Sequence, residues 1–257
     1  MGFAMLQGWL ASGALFPGDV QVVEPAEALR ARAAALGVNA FAAASAVNAV
    51  PGLVILAVKP QVMGDVLPSY IKFAQGGSAF LSIAAGIGTA FMADRLGAQT
   101  PIIRCMPNTP AAIGKGMLVY WKNARVDDEC EAFVKKLLTA SGRVARVKDE
   151  ALIDAVTAVS GSGPAYVFHF IECLTDAGFA AGLPQEIAAE LAMQTVMGSG
   201  ALAAQSADSP ARLREQVTSP NGTTAAALAV LMQDGRMKAL IGEAVEAAHR
   251  RAIELGG

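Results

Sequence analysis

Leu53-Val-Ile-Leu-Ala-Val58 is an unbroken apolar run and the clearest strand signal in the chain. Both faces of such a run must be buried, which is typical of a parallel strand covered by helices on either side. Alanine-rich helical stretches, the first from about Ala26 to Leu36, alternate with the strands. This alternation predicts an α/β fold with a doubly wound sheet. The other predicted strands are Val20–Glu24, Ala79–Ile83, Ile102–Met106, Met117–Trp121 and Val144–Val147.

From Lys148 onward the strand signal ends and helical patterns follow one another. Pro164, Pro184 and Pro210 each fall near a predicted helix start, where the missing N–H of proline costs nothing. We therefore predict a dinucleotide-binding domain of Rossmann-like type over residues 1–148 and an all-helical domain over residues 149–257. The predicted helices are Glu150–Val159, Pro164–Ala181, Pro184–Gln205, Pro210–Val217, Thr223–Gln233 and Lys238–Leu255.

The composition is apolar, with 54% hydrophobic and only 16% charged residues. Either a surface is buried between subunits, or the genome favours alanine; both interpretations stand. The net charge of −2 and the lack of a Lys/Arg cluster argue against a nucleic-acid partner. Cys105, Cys130 and Cys173 are scattered without metal-type spacing, as reduced cytosolic thiols would be. We see no signal peptide and no membrane span, so a soluble, cytoplasmic protein without a membrane partner is expected.

The stretch Val217–Leu231 combines a turn with the start of an apolar helix. Pro220, Asn221 and Gly222 favour the turn. Thr223 and Thr224 then lie where a helix has unpaired N–H groups and the positive end of its dipole. An anion pocket is one interpretation, and an ordinary helix cap is the other.

A second turn rich in glycine and serine, Ser160-Gly-Ser-Gly-Pro-Ala-Tyr166, lies between two predicted helices. Gly161 and Gly163 allow a close backbone approach, and the N–H groups around Ser162 precede the next helix. The same residues would also make a simple helix–helix connector.

Three segments directly follow predicted strands: Val58–Gln61, Ala84–Gly88 and Met106–Pro110. Open α/β sheets bind ligands at this edge. Asn108 could pair with an amide, and Lys59 could reach a ribose or phosphate. Proline after a strand often only ends it, but three such segments at one edge point to a ligand crevice.

Together these segments resemble the pyrroline-5-carboxylate reductase family. The resemblance is carried by Ala158–Val167, by Leu213–Leu228 with its Ser-Pro-Asn-Gly-Thr-Thr, and by Leu56–Gln61, Ser82–Ile87 and Arg104–Pro110, and it covers essentially the whole chain. It implies reduction of the C=N bond of 1-pyrroline-5-carboxylate, the last step of proline synthesis, with hydride from NADPH or NADH. It also implies dimers formed by the helical domains, which can assemble further into decamers.

The resemblance assigns residues to two sides of the reaction. On the substrate side the loop Ser219–Thr224 would hold the carboxylate, with Thr224 as the catalytic hydroxyl beside the imine nitrogen. A cyclic imine gains a proton more readily than a ketone, so no strong acid is required, and we interpret His169 and His249 as structural. The expected substrate-binding residues are Ser162, Ser219, Asn221, Gly222, Thr223 and Thr224. The expected cofactor-binding residues are Gly2, Val58, Lys59, Pro60, Ala85, Gly86, Met106 and Asn108.

The N-terminal segment departs from the pattern. A dinucleotide fold needs a first strand that leads into Gly-x-Gly-x-x-Gly, and here Gly2 matches only the third glycine. The strand's absence would leave the Val20 and Leu53 strands without a partner between them. Two explanations are open: a start site placed too late, or a shortened protein. For the chain as given we expect weak cofactor binding and a poorly stable first domain.

The choice of dinucleotide also stays open. Glu24 ends the strand that normally contacts the ribose, and a carboxylate there suits a 2′-hydroxyl and repels a 2′-phosphate. Arg30 and Arg32 in the next helix could instead accommodate NADP.

Two other functions are compatible with parts of the same sequence pattern. A β-hydroxyacid dehydrogenase or imine reductase relative shares the two-domain plan, but those hydroxyacid enzymes carry a lysine where this chain has Val167. A nucleotide-binding regulator or inactive paralogue would keep the fold without turnover, although the Thr224 hydroxyl argues against it.

Overall fold

The computed structural model describes residues 1–256 as two compact units. The first comprises Met1–Ser162 together with the residues from Ala248 onward, and the second is Gly163–Ala247. The two compact units divide after Ser162, within the Ser160–Tyr166 turn, and the predicted domain boundary at residue 148 stays a prediction. Helix α7 (Leu152–Val156) explains the difference, because it packs against two strands of the first unit.

Five strands of the first unit form one sheet in the order β3-β4-β5-β6-β7. The pairs β3–β4 and β4–β5 are parallel, β5–β6 is antiparallel and β6–β7 is parallel. Each of these strands coincides with a predicted one to within about two residues at either end. Their bounds are β3 Leu53–Leu56, β4 Ala79–Ser82, β5 Ile102–Met106, β6 Gly116–Lys122 and β7 Gly142–Arg146.

Two more strands stand apart from this sheet. β1 (Gln21–Val23), at the predicted position, pairs in parallel with β2 (Asn39–Phe41), which was not predicted. Its three residues, Asn-Ala-Phe, are too short for an alternating pattern to be recognised. Neither strand pairs with β3 among the described residues. The expected gap between the Val20 and Leu53 strands is therefore confirmed.

Successive side chains of a strand point to opposite faces of the sheet, so alternate residues of each strand belong to one of two hydrophobic clusters. Leu81 and Ile103 belong to one cluster, which α1, α2 and α6 cover. Phe80 and Ile102 belong to the other, covered by helical segments between Met63 and Leu96. The helices of this unit are α1 Gly2–Ala11, α2 Glu27–Ala34, α3 Met63–Val66, α4 Ile71–Gln75, α5 Thr89–Leu96, α6 Asp128–Thr139 and α7.

The rest of the chain is helical, as predicted. A π-helical turn, Thr157–Gly161, continues α7. The helices that follow are α8 Gly163–Ala180, α9 Gln185–Gln205, α10 Pro210–Gln216, α11 Thr223–Met232 and α12 Arg236–Gly256.

Large apolar side chains of the second unit lie exposed along α8 and α9. A small helical unit would not leave so many uncovered unless another surface packs on them. Among the described helices, α9 is long and apolar enough to cross a bilayer by length and composition, a property the sequence pattern had not indicated. The expectation of no membrane partner therefore stays a prediction. The exposed residues include Val167, Phe168, Phe170, Phe179, Ile187, Leu191, Met193, Met197 and Leu202.

Candidate active site

The three predicted cofactor segments follow the carboxyl ends of adjacent parallel strands. Val58, Lys59 and Pro60 come after β3, Ala85 and Gly86 after β4, and Met106 and Asn108 at and after β5. Since β3, β4 and β5 are consecutive parallel neighbours, the segments share one edge of the sheet. This is the edge where open α/β sheets bind ligands.

The segment after β3 is open to solvent. Lys59 is exposed and in extended conformation, and its carbonyl accepts the Val62 N–H at 3.2 Å. Pro60 begins a short 3₁₀ turn, so it ends the strand as prolines commonly do. Val58 is half-buried and lines a cleft described below.

The segment after β4 contains a tightly packed glycine. Gly86 has a φ of +75°, and a side chain there would come within 3.0 Å of Leu255. Ala85 beside it is half-buried. At the end of the segment the Glu150 carboxylate accepts the Thr89 backbone N–H at 2.7 Å and the Thr89 hydroxyl at 2.6 Å. Glu150 thus caps helix α5.

The segment after β5 meets the glycine- and serine-rich turn. Asn108 Nδ2 donates to Ser160 Oγ at 3.3 Å, and Asn108 Oδ1 accepts the Met117 N–H at 2.9 Å. A Cβ added at Gly161 would lie 2.4 Å from the Met106 Cε. The structure therefore brings Met106, Asn108, Ser160 and Gly161 together.

The predicted substrate residue Ser162 directly follows the π-helical turn. Its N–H donates to the Thr157 carbonyl at 2.8 Å, and its side chain is half-buried. π-helical turns are rare and concentrate at functional sites. The sequence pattern predicts an ordinary helix that ends at Val159, followed by a turn, and does not indicate the π-helical geometry.

A cleft of about 890 Å³ opens between β1 and β3. Gly2 and Val58 line it, as does Glu24 at the end of β1. A Cβ on Gly2 would lie 2.5 Å from the Ala57 Cβ, so only glycine permits this approach of α1 to β3. No side chain of the described chain caps the start of α1. Its free N–H groups are the kind that hold a pyrophosphate, so Gly2 fits a dinucleotide.

One acidic and two basic side chains lie at or near this cleft. Glu24 Oε1 accepts the Ala26 N–H at 2.9 Å. Arg30 is committed to the backbone, donating to the Glu24 and Pro25 carbonyls at 2.9 Å each. The Arg32 guanidinium stacks 4.6 Å from the Phe3 ring centre and lines the cleft. Arg32 is thus better placed than Arg30 to meet a 2′-phosphate.

The loop Ser219–Thr224 belongs to the second unit and forms the predicted turn. Asn221 has a φ of +59°, and the Gly222 N–H donates to the Ser219 carbonyl at 3.1 Å. Gly222 precedes α11, which begins at Thr223. No side chain of the described chain caps this ten-residue helix. The ordinary-cap interpretation is therefore not what the structure shows, and the first N–H groups of α11 stay available to an anion.

Sequence reasoning missed a buried ion-pair cluster next to these segments. Arg104 of β5 is only 4% exposed. Its Nη2 lies 2.7 Å from Asp154 Oδ1, and its Nη1 lies 3.6 Å from Glu150 Oε1. A charged residue inside the apolar run Ile102–Met106 was the signal that could have revealed it.

The remaining titratable side chains offer little reactive chemistry at this edge. Burial raises the pKa of the Cys105 thiol far above its ordinary value, which keeps the thiol protonated. His169 is exposed on α8 and lies 3.0 Å from Glu172, while His249 lies on α12. Within residues 1–256 no group of His, Cys, Asp and Glu could hold a metal ion.

Comparison with known proteins identifies the family. Residues 150–255 match the pyrroline-5-carboxylate reductase dimerisation family, and residues 1–86 match the family described as NADP oxidoreductase, coenzyme F420-dependent. A Pseudomonas aeruginosa pyrroline-5-carboxylate reductase is 45% identical, over 79% of this chain and 74% of its own.

Two solved structures are similar to this chain and come from the same family. A pyrroline-5-carboxylate reductase from Coxiella burnetii superimposes with a TM-score of 0.92 at 32% identity, over 100% of this chain and 95% of that one. The Plasmodium falciparum pyrroline carboxylate reductase, solved with NADP bound, gives 0.87 at 28% identity with the same coverage. This chain belongs to the pyrroline-5-carboxylate reductase family.

Proposed function

We propose that this chain reduces the C=N bond of 1-pyrroline-5-carboxylate to give L-proline, using NADPH or NADH. The observation that carries the proposal is the start of α11. There an uncapped helix N-terminus, a turn with Asn221 at positive φ, and the Thr224 hydroxyl occur together. The substrate is a cyclic imine with a carboxylate, and these groups match its two polar parts.

On the substrate side, the chain binds an anion and supplies a proton donor. The N–H groups of Thr223 and Thr224, at the positive end of the helix dipole, hold the carboxylate. Ser219, Asn221 and Gly222 shape the turn. Ser162, in the first unit, is also a predicted substrate-binding residue. Thr224 lies beside the imine nitrogen, where a hydroxyl suffices because the imine is easily protonated.

On the cofactor side, the chain would hold a dinucleotide along the carboxyl edge of the sheet. Gly2 lets the pyrophosphate approach α1, and Lys59 and Pro60 with Met106 and Asn108 line the nicotinamide side. Val58, Ala85 and Gly86 form the walls between them. When bound, the reduced nicotinamide supplies the hydride.

The chain is also proposed to work as a homodimer formed by its helical domain, in the cytoplasm, and without nucleic-acid or membrane partners. The exposed apolar side chains of α8 and α9 support the dimer. Assembly into decamers remains an expectation from the family resemblance.

The test is a steady-state assay with 1-pyrroline-5-carboxylate and each nicotinamide cofactor. Thr224→Ala removes the hydroxyl, and we expect kcat to fall by about 10²-fold. Thr224→Ser keeps the hydroxyl and should retain most of the activity. Equal rates for Thr224→Ala and the unchanged chain would rule out the assigned role.

The same assay, together with a calorimetric measurement of NADPH binding, separates the other two functions. Turnover of a 3-hydroxy acid without turnover of the pyrroline substrate would favour a hydroxyacid dehydrogenase. NADPH binding without turnover of either substrate would favour a regulator.

A further inference from the structure

Arg104 is a buried cation held by two carboxylates from a distant part of the chain. Its side chain is 5% exposed, while those of Glu150 and Asp154 are 23% and 18% exposed. Its Nε is buried and has no hydrogen-bond partner among the described residues. Since this guanidinium cannot be fully solvated, its position depends on the two carboxylates.

The two carboxylates are connected to different segments of the candidate site, Glu150 by hydrogen bonds and Asp154 through the helix that carries it. Glu150 also accepts both the N–H and the hydroxyl of Thr89, the first residue of α5, so it fixes the end of the Ala85–Gly88 loop. Asp154 lies on α7, which runs directly into the π-helical turn that ends at Gly161. Arg104 therefore links the loop and the turn.

The strand that carries Arg104 also meets the turn. Arg104 and Met106 are two residues apart on β5, so their side chains point to the same face of the sheet. Met106 packs against Gly161, and Asn108 bonds Ser160 at 3.3 Å. Helix α7 is thus held to β5 through Asp154, and the turn is held to β5 and the segment after it through Gly161 and Ser160.

We propose that Arg104, Glu150 and Asp154 are positioning residues, which set the Ser160–Ser162 turn and the Ala85–Gly88 loop at fixed places beside Met106. They touch neither substrate nor cofactor and act through the groups that do. The role extends the proposed function and depends on it for its kinetic consequences. Its structural part, the placement of the turn, can be tested separately.

Hydrogen exchange tests the structural part without any assay of activity. In Asp154→Asn, which is nearly isosteric, we expect amides of Thr157–Ser162 to exchange about tenfold faster. The Ser162 N–H, bonded to the Thr157 carbonyl at 2.8 Å, is the most direct reporter. Glu150→Gln should speed exchange at the start of α5 instead.

Glu131→Gln is the matched control. Glu131 also pairs with a cation on the same sheet, Lys122, at 2.7 Å, but it contacts none of the site segments. If Asp154→Asn changes exchange in Thr157–Ser162 no more than Glu131→Gln does, the positioning role is wrong.

Kinetics supply a second readout that general destabilisation would not produce. Glu150→Gln should mainly raise the KM for the dinucleotide, and Asp154→Asn should mainly lower kcat, each by about tenfold, since small misplacements have large effects on rate. Asp154→Glu keeps the charge and should recover part of the loss. Equal effects of both variants on both constants would contradict the assignment.

The two proposals fail in different ways. An unchanged chain that does not turn over the pyrroline substrate contradicts the proposed function, and the exchange result still decides the positioning role. An active chain whose Asp154→Asn and Glu150→Gln variants behave like Glu131→Gln contradicts the positioning role alone.

Discussion

Gly161 and Gly163 look equivalent in the sequence but have different surroundings. A Cβ on Gly161 would lie 2.4 Å from the Met106 Cε, whereas one on Gly163 would meet nothing within 4 Å. Of the two, Gly161 is therefore the one whose missing side chain makes room for Met106, a residue proposed to line the nicotinamide side.

Gly161→Ala should displace the end of the flexible Met106 side chain. We expect kcat/KM for the dinucleotide to fall by about tenfold, because the groups that position the reacting ring have shifted. Gly163→Ala provides the control and should stay near the unchanged value. The measurement is steady-state kinetics at varied NADPH. A larger loss in Gly163→Ala than in Gly161→Ala would contradict this explanation.

Glu24, which directly follows β1, leads to a prediction about the preference between NADPH and NADH. Glu24→Gln keeps an oxygen to accept the Ala26 N–H but removes the charge that repels a 2′-phosphate. The ratio of kcat/KM for NADPH to that for NADH should rise about fivefold, or about 1 kcal/mol. Glu27→Gln, with the same charge change on an exposed residue that does not line the cleft, should leave the ratio unchanged.

The placement of some site residues could be predicted from sequence and that of others could not, while their roles stay predictions. The positions of Met106 and Asn108 were predicted because their motif follows a recognisable strand, and that of Gly2 because it matches the third glycine of the dinucleotide fingerprint. Arg104, Glu150 and Asp154 were missed because their pairing joins residues about 50 positions apart, and local patterns carry no information about such contacts.

At the scale of elements, α6, β6 and β7 are joined by a polar cluster around Glu131. Its carboxylate lies 2.7 Å from the Lys122 ammonium and 3.1 Å from the Arg146 guanidinium, and it accepts the Tyr120 hydroxyl at 2.8 Å. The hydrogen bond from Lys122 is the main reason that the pKa of Glu131 lies below its ordinary value. Burial raises the pKa of Tyr120 to about 12, and its bond to Glu131 adds to the effect.

A lowered pKa makes Glu131 a source of stability that acid removes. Its contribution is complete above the ordinary glutamate pKa of about 4.3 and is lost as the pH falls through the lower folded-state value. Glu131→Gln should therefore cost about 2 kcal/mol at pH 7 and much less near pH 3. Urea unfolding of both proteins at the two pH values measures this. A difference that does not shrink in acid would show that the charge is irrelevant.

Elements with a strong pattern were predicted well. β3, β4 and β5 are largely apolar runs followed by glycine or proline segments, and α8, α9 and α10 each begin at or beside a proline. β2 was missed because Asn39–Phe41 is short and partly polar. The π-helical turn was missed because its extra residue depends on how the turn packs against β5, and composition does not encode that.

For the whole molecule, the exposed apolar side chains of the second unit predict association. Leu191 on α9 is 51% exposed, and an aspartate there would have to be buried unpaired in a helical-domain dimer. Leu191→Asp should shift the protein to monomers, as measured by light scattering after gel filtration. Phe133→Asp, an equally drastic change at an exposed position on α6, is the control and should leave the oligomer intact.

The gap between β1 and β3 has a consequence for the motions of the first unit. In the described chain no backbone hydrogen bond joins β1, α2 and β2 to the main sheet; side chains such as Val22 and Ala33 hold them there. A two-stranded ribbon is barely stable alone, so this piece should open by local unfolding before the rest of the unit does. Glu24 and Arg32 lie on it. The residues expected to distinguish NADPH from NADH are thus carried by a piece that no backbone hydrogen bond ties to the main sheet in the described chain.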